Sequence, residues 1–99
     1  MFQKNFFKKG ESREVIIEVI KKEGFAPLLF TDEPKYIYSL HQHPATKLLV
    51  CLEGSMEVEV NSEKFKFEAG DKLIIPGNTP HSAVVGDKGC IFFWSEKVI

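Results

Sequence analysis

The chain has only three histidines, and two of them, His41 and His43, stand two residues apart in the segment LHQHPATKLL. The third, His81, follows IPGNTP. Residues i and i+2 of a β-strand point to one face, so His41 and His43 can aim two ring nitrogens at a shared point. Neighbouring strands lie about 5 Å apart, so His81 can join the pair from another strand despite its distance along the chain. Three imidazoles on one face make a facial site for a divalent transition metal, with positions left open for water or substrate. Lys47, four residues after His43, is the discordant member, because an ammonium group close to a dication repels it.

Three placements of Lys47 are chemically distinct. It can lie near a metal held by the histidines and anchor an anionic ligand that also coordinates the metal, with burial lowering its pKa. It can form a metal-free polar pocket with the histidines for an anionic small molecule. Or it can pack its stem and extend its head to solvent. The sequence leaves all three open.

The elements that must position these side chains are strands. SMEVEVNSEKFKFEAG is the clearest signal: Met56, Val58 and Val60 alternate with glutamates, NSE turns the chain, and Phe65 and Phe67 alternate with charged residues. KYIYSLHQH over 35–43 is aromatic and β-branched enough for a strand, and KLLVCLEG reads as one covered on both faces. GDKLIIPGNTPHSAVV is expected to form a strand, a proline- and glycine-rich loop and a second strand; GDKG is expected to turn, and CIFFWSEKVI to close the chain. REVIIEVIKK also alternates with period two, which places a further strand in the region of about 12–30 that would add to a sheet. At most one helical turn, near Asn5 to Lys9, is expected.

Length and composition bound what this framework can be. At 99 residues the chain is expected to form one domain, 1–99, and its 43% apolar content is too high for a disordered segment. A net charge of −1 with interspersed signs lacks the basic stripe of a nucleic-acid binder. No apolar run approaches the length of a membrane span, so a soluble, cytoplasmic protein is expected. Cys51 and Cys90 lie in apolar runs and read as buried free thiols. The aromatic stretches FFKK and IFFW read as core or dimer interface. Seven or more short strands in one domain indicate an all-β sandwich or barrel.

HQHPATKLLVCLEG resembles the first motif of the cupin family and GDKLIIPGNTPH the second, in order and at the right separation, covering about residues 36 to 94. The first motif supplies His41, His43 and Gly54, within 41–54; the second supplies Gly70, Pro76 and His81, within 70–85. Three positions depart: Lys47 stands where the family has glutamate, Val85 where it has asparagine, and Asn78 where it has a loop glycine. Asparagine tolerates the left-handed backbone better than most residues.

The resemblance implies a cupin-type jelly-roll β-barrel, commonly a homodimer, with His41, His43 and His81 as ligands of iron, manganese, nickel, zinc or copper. It also implies a small-molecule ligand, with Lys47 as a candidate ligand-binding residue. Two functions follow as expectations. One is a small metal-dependent cupin with a dioxygenase- or isomerase-like role. The other is a non-catalytic sensing or binding module, metal-free in one form, with Lys47 facing an anion. Fold alone does not choose between them.

Overall fold

The structure is a computed structural model and describes residues 1–98. Its elements are β1 (Phe2–Gln3), α1 (Arg13–Lys22), β2 (Phe25–Asp32), β3 (Ile37–His41), β4 (Lys47–Val60), β5 (Glu63–Glu68), β6 (Lys72–Ile75) and β7 (His81–Lys97). All pairings are antiparallel. The all-β jelly-roll expectation holds: β4 and β7 run side by side and each contributes to two layers. One layer has the order β1-β6-β4-β7-β2; in the other, β5 pairs β4 and β3 pairs β7.

The expected breaks inside KLLVCLEGSMEVEV and HSAVVGDKGCIFFW are not breaks. Both segments stay in strand conformation, and the β4–β7 ladder shifts register between Cys51 and Glu53 and between Gly54 and Met56. Such bulges bend a strand without ending it. Gly54 (φ +76°) and Gly89 (φ +77°) face each other there. A Cβ on Gly54 would lie 2.0 Å from the Gly89 carbonyl oxygen, so only glycine lets the two backbones approach this closely. The predicted hairpin is present as β4–β5, turned by Asn61 and Ser62, both with positive φ.

The region of about 12–30 is corrected. Residues Arg13–Lys22 form a ten-residue helix, longer than the single turn allowed by the sequence reading, and only Phe25–Asp32 is a strand. The segment near Asn5 to Lys9 is turns and bends, not a helical turn. REVIIEVIKK satisfies the helical spacing too, since Ile16 and Ile20 are four apart. Ser12 caps the helix by accepting from the Val15 N–H, Glu14 sits in the first turn, and Lys21 and Lys22 sit in the last. Ile16 and Ile20 are buried with Leu48, Val50 and Phe93 on the outer face of the β4–β7 layer. Each contributes about 1.5–3 kcal/mol by that burial. A surface strand could not cover that face, and local alternation loses to this tertiary demand.

A second apolar cluster fills the interior between the layers, including Met56, Phe67, Leu73, Val85 and Phe92. Phe2 stacks on Phe65 with ring centroids 4.9 Å apart, bringing the β1 and β5 edges together. The opposite edges, β2 and β3, carry exposed Leu28, Ile37 and Leu40.

Candidate metal centre

His41 ends β3 and His81 begins β7, and the two stand opposite each other in the ladder. His43 lies two residues beyond the end of β3, in the loop entering β4, rather than on the same strand. That loop is tied to the one before His81. The Asn78 N–H donates to the His43 carbonyl, and the Gly77 N–H donates to Thr46 Oγ1 at 3.1 Å. A Cβ on Gly77 would lie 2.2 Å from the Pro44 carbonyl oxygen, so the loops touch backbone to backbone. Asn78 adopts φ +60°, the left-handed conformation expected of it.

The three rings meet, with centroid separations of 4.7 Å (His41–His43), 4.3 Å (His41–His81) and 5.1 Å (His43–His81). One nitrogen from each lies within 4.8 Å of the others. The His81 Nδ1 is 2.8 Å from the Thr79 carbonyl, and the His41 Nδ1 contacts the Ser39 carbonyl. A carbonyl only accepts, so both Nδ1 atoms carry a proton, and in the neutral imidazole Nε2 then keeps the lone pair. Burial, with the neighbouring cationic forms, pushes His43 below the usual histidine range, and burial lowers His81. The Nε2 atoms of His43 and His81 are buried with no hydrogen-bond partner. A buried polar atom without a partner is costly, and lone pairs converging from three neutral imidazoles are what a divalent transition metal requires. The residues fit a metal.

The cluster opens into a cavity of about 250 Å³ between the layers. Its wall is otherwise Phe30, Tyr38, Leu49, Met56, Val58, Ile75, Phe92 and Trp94, with Ser82 and Ala83. Tyr38 donates its hydroxyl to Asp32 Oδ2, and burial together with that carboxylate raises its pKa. Trp94 lies edge-on to His43 with centroids 5.6 Å apart.

Lys47 does not extend to solvent, and it does not line the cavity. Its side chain is buried, donates to Glu96 Oε1 at 2.6 Å and lies 5.2 Å from the Trp94 ring centroid. Lys47 and Glu96 are cross-strand partners on β4 and β7. The hydrogen bond from Lys47 holds the Glu96 carboxyl below its usual range. Sequence reasoning did not single out Glu96. The signal was its even spacing from Phe92 and Trp94, which puts it on their side of the closing strand. Cys51 and Cys90 are buried free thiols as expected, with sulfurs 3.6 Å apart. The contact with Cys90 and burial push the Cys51 thiol far up, leaving it protonated. Val85 is a core side chain of the interior cluster.

The Cupin domain family model matches residues 28–96. Solved structures share the fold at low identity. An RmlC-like cupin from Shewanella frigidimarina superposes with a TM-score of 0.69 at 20% identity, over 77% of this chain and 68% of that one. A conserved Streptococcus pyogenes protein of unknown function gives 0.66 at 16% identity, over 75% of this chain and 64% of the other. Bacillus subtilis oxalate decarboxylase, described by its Mn(II) centres, gives 0.67 at 21% identity, over 82% of this chain but 23% of that protein. The chain therefore spans less than two thirds of the streptococcal protein and under a quarter of the decarboxylase. No curated protein matches the sequence.

Proposed function

This chain belongs to the cupin domain family, and from that premise we propose that it binds a divalent transition metal on His41, His43 and His81 and uses it to act on a small molecule. The observation that carries this reading is the pair of buried, unpartnered Nε2 atoms of His43 and His81 converging with His41 at the head of a cavity. The metal, when bound, supplies Lewis acidity and open coordination positions. The Mn(II) centres named for oxalate decarboxylase support a transition metal in this fold without fixing its identity here.

The chain's own residues do the rest. The Ser39 and Thr79 carbonyls hold two rings in the tautomer that leaves Nε2 free. Trp94 packs against His43, and the apolar wall excludes water around a bound molecule. Besides the histidines, Tyr38 is the cavity's one titratable side chain among the described residues, and its proton is engaged by Asp32. Chemistry here therefore runs on the metal rather than on a side-chain acid or base, consistent with a dioxygenase- or isomerase-like role. Lys47 belongs to an ion pair with Glu96 that neutralises charge beside the centre.

Elemental analysis of protein purified without added metal, followed by Zn(II) titration, tests the centre. Wild type is expected to hold about one equivalent, and His43→Ala and His81→Ala to hold none. Wild type that carries no stoichiometric metal and takes up none on titration would remove the basis of the proposal.

A further inference from the structure

The geometry points to the class of molecule the cavity accepts: a compact anion with its oxygen-donor head at the histidines and an aromatic or branched aliphatic body, with a second charge at the far end excluded. The inference rests on the metal-centre reading for the head alone; the body is argued from the cavity wall.

The cavity's metal-ligating groups are the three clustered histidines. Beyond the histidines its sides are Phe30, Leu49, Met56, Val58, Phe92 and Trp94, and among the described residues no lysine, arginine, aspartate or glutamate lines it. Lys47, 5.2 Å from the Trp94 ring centroid, is already bonded to Glu96 at 2.6 Å and does not line the cavity. The Tyr38 hydroxyl is committed to Asp32. Ser82, next to His81 in sequence, adds the one further hydroxyl of the wall. A carboxylate at the far end of a ligand would lose its water and meet no cation, and an unpaired buried charge is among the costliest arrangements a protein can hold. An aromatic or branched body instead exchanges water for the faces of Phe30, Phe92 and Trp94. The volume of about 250 Å³ equals about eight waters at about 30 Å³ each, so the body is limited to about eight to twelve non-hydrogen atoms. This excludes extended sugar acids by size and polarity and, by charge, dicarboxylates whose second carboxylate reaches the far end.

p-Toluate and terephthalate test this as a matched pair, differing only in a methyl or a carboxylate at the end away from the head. Binding is read by calorimetry and by emission of Trp94, the chain's only tryptophan and part of the wall. Both probes are titrated into Zn(II)-loaded and chelator-stripped protein. p-Toluate is expected to bind Zn(II)-loaded protein at least tenfold more tightly than terephthalate. Phe30→Arg, at a wall position that is 39% exposed, supplies the missing cation and is expected to narrow that ratio by at least fivefold, with urea unfolding used to check that the variant is folded. A wild-type ratio below tenfold, no binding of either probe, or an unchanged ratio in Phe30→Arg would overturn the inference. If the protein takes up no Zn(II) yet still prefers p-toluate tenfold, the metal-centre reading fails while the ligand class stands.

Discussion

Replacing Ala83 by leucine turns the interior cavity into a measurable quantity. Ala83 lies on β7 between Tyr38 and Val58, its cross-strand partners, and all three belong to the cavity wall. Leucine adds three carbons that project into open space. At about 0.8 kcal/mol per buried CH2, complete burial would stabilise the fold by about 2.4 kcal/mol. Phe30 in the cavity wall is 39% exposed, so burial is incomplete and about half of that gain, roughly 1 kcal/mol, is expected. Urea unfolding of metal-stripped protein reads the effect as a midpoint shift of about 0.5–1 M at an m value near the lower end for small domains. The same side chain occupies the ligand's place, so p-toluate affinity is expected to fall at least tenfold while Zn(II) stoichiometry stays unchanged. Destabilisation by more than about 1 kcal/mol would signal overpacking and refute the presence of usable space. Unaltered p-toluate binding would place the ligand elsewhere.

Lys47→Met leaves the Glu96 carboxylate unpaired beside the histidines, and opposite charges attract a dication; Zn(II) affinity measured by chelator competition should rise severalfold, and weaker binding would contradict the neutralising role of the pair. Gly54→Ala combines a positive φ with a Cβ 2.0 Å from the Gly89 carbonyl oxygen; the left-handed backbone alone costs about 1–2 kcal/mol, so urea unfolding should show a loss of at least about 3 kcal/mol, and a loss under about 1 would mean that the crossing of β4 and β7 is not tight. The N-terminal segment, which Asp71 also holds through Lys4 and the Asn5 N–H, should loosen in acid. The hydrogen bond from Lys4 lowers the Glu68 pKa in the folded state, so the link is in place above the ordinary carboxylate range and is lost as pH falls through the lowered value. Exchange of the Ile74 amide, which donates to the Met1 carbonyl at 2.8 Å, should accelerate there relative to core amides, and Lys4→Met should produce the same acceleration at neutral pH.

Much of the site was legible before the fold was known. Side chains two apart near a strand end reach one side, and the loop PGNTP delivers His81 opposite His41. Asn78 marked its own left-handed turn, and the alternation of Met56, Val58 and Val60 against Phe65 and Phe67 described a hairpin that the structure contains, with Met56 opposite Phe67 and Val58 opposite Phe65. These features depend on local chemistry: strand period, turn conformation and imidazole coordination.

Other features depended on partners distant in sequence. REVIIEVIKK satisfies strand and helix periodicities together, and the helix forms because Leu48, Val50 and Phe93 present an outer face for Ile16 and Ile20 to cover. GDKG reads locally as a turn, yet it stays inside β7 because Gly89 meets Gly54 where two long strands cross between layers. Lys47 showed an unexpected charge but not its partner, because Glu96 is 49 residues away and becomes adjacent only through the β4–β7 ladder. The sequence by itself determined an all-β framework and the three imidazoles with their donor chemistry, since both follow from residue types at short spacing. The tertiary structure decided that the lysine is neutralised and that the space below the histidines is apolar, since burial and charge pairing are properties of side chains that only the completed barrel brings together.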